Sequence, residues 1–135
     1  MAYLNWKQEA VQVVVTPHAR LQNQLQLTLK SEHIRLLAAE LTEVFGQKAE
    51  LRLGLPAGWT AFFKTTDGEG RLLMSHPEKA EWVGSFILDG THAQKFLADL
   101  QHIATDGATT SIELSSMGGI NFLSNLELVI SLAPT

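Results

Sequence analysis

Cysteine is absent from the 135 residues, which removes disulfides, thiolate nucleophiles and cysteine-containing metal sites at one stroke. Clustered positive charge is missing too. The ten Lys and Arg residues are scattered singly from Lys7 to Lys95, the last forty residues carry none, and the net charge is −4. Affinity for nucleic acid rests largely on counterion release by grouped cations, so no nucleic-acid partner is expected. Long apolar runs are also lacking. The longest span a few residues, against the ~20 needed to cross a bilayer, so no membrane partner is expected either. Met1-Ala2-Tyr3-Leu4-Asn5-Trp6-Lys7 has no charged stretch leading into an apolar one, so it does not read as a secretory signal. The expectation is a cytoplasmic protein.

The motifs that usually carry chemistry are missing as well. No serine sits in Gly-x-Ser-x-Gly, and Ser75-His76 are strand neighbours whose side chains point to opposite faces. Glu40, Glu43 and Asp99 fall on the polar sides of predicted helices, where solvated charge belongs. Gly68-Glu69-Gly70 and Gly118-Gly119 lead into strands. A phosphate loop instead needs glycines opening a helix, where N–H groups and dipole converge. No catalytic residue, metal or cofactor is expected.

What is present is the patterning of one globular domain over residues 1–135, with 45% hydrophobic and 18% charged residues and no linker. A chain of this length buries roughly two-thirds of its unfolded surface. Val11–Val15 reads as a strand from its β-branched content, stopped by Pro17. Leu25, Leu27 and Leu29 alternate with polar residues, as do Leu51, Leu53 and Leu55. Between them Ser31 reads as the N-cap of a helix over Glu32–Phe45, with Gly46 just past its end. Pro56-Ala57-Gly58 is turn chemistry, and Trp59–Thr65 an aromatic strand. Asp67-Gly68-Glu69-Gly70 marks a hairpin returning through Arg71–Ser75. Strands over Trp82–Leu88, Ser111–Ser115 and Leu126–Leu132 follow. A second helix runs to about Ala104, opened by a Thr91-to-Gln94 capping box.

A faint internal repeat links the halves. Leu27-Thr28-Leu29-Lys30 aligns with Phe86-Ile87-Leu88-Asp89, and His33 with His92. The set Ile34, Leu37, Ala38, Leu41, Val44 and Phe45 aligns with Ala93, Phe96, Leu97, Leu100, Ile103 and Ala104. A strand–helix–strand unit occurring twice gives the order ββαββ–ββαββ about a pseudo-twofold. The expected class is α+β: a largely antiparallel or strongly curved sheet carrying two amphipathic helices.

His33 and His92 both open a predicted helix at equivalent places in the repeat, where a pseudo-twofold could bring the imidazoles together. Helix N-termini disfavour protonated histidine, and no His-Glu-x-x-His spacing supplies further ligands. These two and Trp59 are the candidates for a small-molecule pocket. Trp59 and Phe63 share one strand face, with Phe62 on the other beside Thr60 and Lys64. Phe62, Phe63 and Trp82 are the candidates for an interface, because aromatics dominate cores and binding hot spots alike.

Three functions compete. The leading expectation is a non-catalytic binding or assembly domain acting on another protein, as a homodimer. Its motive is that Val11–Val15, Trp59–Thr65 and Leu126–Leu132 offer more apolar strand than two helices shield. A second expectation is a small-molecule binder or enzyme with a pocket between sheet and helices. The third comes from the closing pattern, Ser111-Ile112-Glu113-Leu114-Ser115-Ser116-Met117-Gly118-Gly119 followed by Leu126-Glu127-Leu128-Val129-Ile130. It distantly resembles the ends of some small bacterial immunity proteins, over less than a quarter of the chain. That resemblance implies a small acidic neutralising protein whose surface mimics phosphates.

Overall fold

Alternating leucines mark β-strands at Leu25–Leu29, Leu51–Leu55 and Leu126–Leu128, and two apolar stripes at helical spacing mark the helices. The computed structural model describes residues 2–18, 22–47, 50–66, 69–78, 84–88, 90–105, 111–114, 119–120 and 126–133. In chain order the elements are β1 (Ala2–Asn5), β2 (Gln12–His18), β3 (Gln22–Leu29), α1 (Ser31–Gln47), β4 (Glu50–Gly54) and β5 (Thr60–Thr66). They continue with β6 (Glu69–Ser75), β7 (Gly84–Leu88), α2 (Gly90–Thr105), β8 (Ser111–Glu113), β9 (Gly119–Ile120) and β10 (Leu126–Leu132). A single 3-10 turn, Pro56–Gly58, separates β4 from β5.

The class is α+β, and the strands divide into two mixed sheets where one was expected. Six strands run in the order β1-β4-β5-β6-β7-β9, and four in the order β2-β3-β10-β8. β1 pairs with β4 and β3 with β10 in parallel; the other pairings among the described residues are antiparallel. Both parallel pairs join strands far apart in sequence. Local turn chemistry therefore carries no trace of them.

Each helix carries the chain from one sheet to the other: β3 through α1 to β4, then β7 through α2 back to β8. The surroundings of the two units differ. β3 lies between β2 and β10, whereas β7 lies between β6 and β9; β4 is flanked by β1 and β5, whereas β8 borders only β10 among the described residues. The strand orders do not reproduce the repeat read from the sequence, whose helix alignment any two amphipathic helices would share. Both sheets have open edges among the described residues, so neither closes on itself.

Three local readings shift. Pro17 lies within β2 opposite Asn23 instead of ending the strand. β2 is an edge strand, where a missing N–H costs no ladder bond. Gly46 sits inside the last turn of α1, and β1 was not read as a strand at all. The hairpin between β5 and β6 is present, with Thr66 opposite Glu69, though Asp67 and Gly68 lie outside the described residues.

One core joins everything. From α1 it takes Ile34, Leu37, Ala38, Leu41 and Val44, and from α2 Ala93, Phe96, Leu97, Leu100, Ile103 and Ala104. α1 lies on β4 and β5, α2 on β6, β7 and β8, and the helices pack against each other. The Arg35 guanidinium donates to the Ala104 carbonyl oxygen at 3.2 Å, so the start of α1 meets the end of α2 and the pair is antiparallel. Leu25, Leu27 and Leu29 of β3 with Leu126, Leu128 and Ile130 of β10 complete the core from the second sheet. Much of the apolar strand surface expected to need a partner is covered within the chain, since Val11, Trp59, Phe63, Leu126, Leu128 and Ile130 are buried, while Val14 stays 49% exposed and Phe62 is only half-buried. No helix among the described residues is long and apolar enough to cross a membrane.

Candidate functional site

The two histidines do not converge. His33 is buried in the first turn of α1, its ring 4.9 Å from that of Trp6 and its Nε2 3.7 Å from a carboxylate oxygen of the exposed Glu9. Trp6 is held there by its N–H, which donates to the Gly54 carbonyl and extends the β1–β4 ladder by one residue. The half-buried His92 opens α2. Since the helices are antiparallel, the twelve residues from Ala104 back to His92 put it roughly 18 Å further along the axis. Among the described residues no three His, Asp or Glu groups gather as metal ligands would.

Trp59 is buried after the 3-10 turn, its ring edge-on to His76 with centroids 5.1 Å apart. His76 is fully engaged in that turn. Its Nδ1 accepts from the Glu78 N–H at 3.0 Å, so Nε2 bears the proton it donates to the Ala57 carbonyl at 2.7 Å. Trp59 and His76 therefore lock the turn. The candidate interface residues separate as well: Phe63 is 2% exposed in the core, so it is not available to a partner. Trp82 lies outside the described residues. Of the two described, Phe62 stands on an open face.

That face is the outer side of the six-stranded sheet, away from the helices. Cross-strand register sets Tyr3, Arg52, Phe62 and Leu73 in one row over β1, β4, β5 and β6. One residue step along each strand points inward, which is why Leu51, Leu53, Phe63, Leu72 and Met74 fill the core while these four do not. Tyr3 is 51% exposed and Leu73 40%. The Arg52 guanidinium lies over the Phe62 ring, 5.7 Å from its centroid. A hollow of about 640 Å³ runs along the row, from Tyr3 and Lys7 at one end to His76 and Pro77 at the other. Gly54 permits this shape: a Cβ there would stand 2.7 Å from the Tyr3 hydroxyl and 3.1 Å from Lys7 Cε.

A smaller hollow of about 240 Å³ adjoins it on the far side of Phe62, lined by Lys64, Arg71 and Leu73. Among the described residues no Asp or Glu lines either hollow. Glu50 stands opposite Lys64 in register. A chain of net charge −4 thus concentrates cations on one partly apolar face.

The sequence reading had placed Phe62 on this face with Thr60 and Lys64, and missed Tyr3, Lys7, Arg52 and Leu73. Signals for two of these existed. Arg52 alternates with Leu51 and Leu53, and Leu72-Leu73-Met74 cannot all point inward from one strand. Tyr3 and Lys7 depend on the parallel pairing of β1, which no local pattern announces. Comparison with known protein families, with curated proteins and with solved structures finds no match for this chain.

Proposed function

We propose that the protein is a non-catalytic binding module that engages another protein through the outer face of its six-stranded sheet. The observation that carries this reading is the Tyr3–Arg52–Phe62–Leu73 row, where exposed aromatic and aliphatic surface lies in a shallow hollow flanked by cations. Interface hot spots favour this composition, with Tyr and Arg enriched and charge set at the rim. The hollow is open and lies on the sheet's outer surface, not between sheet and helices, which favours a protein surface over an enclosed small molecule.

Self-association through the same face is a second reading, resting on the exposed Tyr3 and Leu73. It sets Lys7, Arg52 and Lys64 of one copy against the same residues of the other, and like-charge juxtaposition opposes association. Most of the apolar strand that motivates a homodimer packs inside the chain, Val14 and Phe62 apart. A surface that neutralises by mimicking phosphates would present acids, and this face presents cations.

Unbiased selection of peptides displayed on phage against the immobilised protein tests the reading. The expected result is a set of enriched peptides whose binding is lost in Leu73→Ser and Phe62→Ala. Enriched peptides indifferent to both substitutions would place the binding surface elsewhere and refute the proposal.

A further inference from the structure

We infer that the segment captured by this face is acidic, an extended stretch of another protein with carboxylates flanking an apolar or aromatic residue. This rests on the reading of the outer face as a protein-binding surface and adds the chemistry of its partner. Lys7, Arg52 and Lys64 make no ion pair among the described residues, although the chain holds 14 Asp and Glu residues. Nor do the guanidinium N–H groups of Arg52 make a hydrogen bond there. Stacking on Phe62 holds that guanidinium in place while leaving its planar fork able to grip a carboxylate with two parallel bonds. Lys7, Arg52 and Lys64, with no counter-ion among the described residues and beside hollows that no described acid lines, are complementary to a negative partner.

Geometry sets the length of the segment. Tyr3 to Leu73 crosses three strand spacings of ~4.8 Å, roughly 14 Å, which an extended chain covers in about four residues at ~3.4 Å each. An apolar side chain seats between Phe62 and Leu73. Carboxylates on one side reach Arg52 and Lys7, and one on the other side reaches Lys64. The hydroxyls of Tyr3, Thr60 and Ser75 around the larger hollow supply donors and acceptors for the segment's backbone.

Calorimetric titration of the protein with the unlabelled peptide Glu-Glu-Asp-Leu-Phe-Asp-Glu-Glu tests the inference. Saturable binding with a sub-millimolar Kd is expected, weakening as salt rises because exposed charge pairs are screened. The double variant Arg52→Gln/Lys64→Gln is expected to lose roughly tenfold in affinity. A peptide with every acid replaced by Lys is expected not to bind, and neither is an oligothymidine. The inference is overturned by no saturation at millimolar peptide, by affinity unchanged in the double variant, or by tighter binding of the lysine peptide or the oligothymidine. If this peptide fails while phage selection yields neutral or basic peptides sensitive to Leu73→Ser, the acidic partner is refuted and the binding face stands.

Discussion

Gly58 holds a φ of +87°, and a Cβ on it would stand 2.7 Å from the His76 Nε2. The same nitrogen must donate to the Ala57 carbonyl, so the ring has no room to retreat without breaking that bond. Gly58→Ala should destabilise by about 1–3 kcal/mol, the range for strained backbone, measured by urea denaturation. Wild-type stability in that variant would mean the turn does not depend on His76. Leu41 and Leu100 are fully buried, one on each helix. Leu41→Ala or Leu100→Ala should each cost about 2–5 kcal/mol by the same measurement. At this scale the sequence was informative wherever periodicity decided burial, since every member of the two apolar helix sets except Phe45 is buried. It was uninformative where contacts join distant segments. Nothing near His33 in the sequence points to Trp6 or Glu9, and Glu127 of β10 is wholly buried although strand alternation would set it outward.

Elements were legible in kind more than in arrangement. Both helices and the strands over Val11–Val15, Leu51–Leu55, Trp59–Thr65 and Leu126–Leu132 could be read from alternation and turn residues. The division into two sheets could not, because alternation marks a buried face without saying what buries it. β10 shows this plainly, being buried on both faces from Leu126 to Ser131 between β3 and β8. The antiparallel helix pair is tied at one end by Arg35, whose charge reaches a carbonyl at the end of α2, where the helix dipole is negative. Arg35→Ala should lower stability by ~0.3–1 kcal/mol, with amide exchange in the last turn of α2 accelerating more than exchange in the first. Faster exchange spread evenly along α2 would show that the contact does not act locally.

For the whole molecule, the distribution of charge matters more than its total. Composition alone reads as an acidic globule, and of the candidate site only Thr60, Phe62 and Lys64 on β5 are legible in the sequence. The cations became a surface once β1, β4, β5 and β6 were set side by side. Since the two sheets and two helices bury one another's apolar faces, the chain should sediment at micromolar concentration as the 14.8 kDa monomer. A concentration-dependent dimer abolished by Leu73→Asp would give the outer face to a second copy instead. The most direct measurement is the change in backbone amide NMR shifts when Glu-Glu-Asp-Leu-Phe-Asp-Glu-Glu is added to isotope-labelled protein. The account predicts that the largest changes cluster at Tyr3, Arg52, Phe62, Lys64 and Leu73, while the strands of the four-stranded sheet stay still. Changes centred on β2, β3 or the helices, with the outer face of the six-stranded sheet silent, would contradict it.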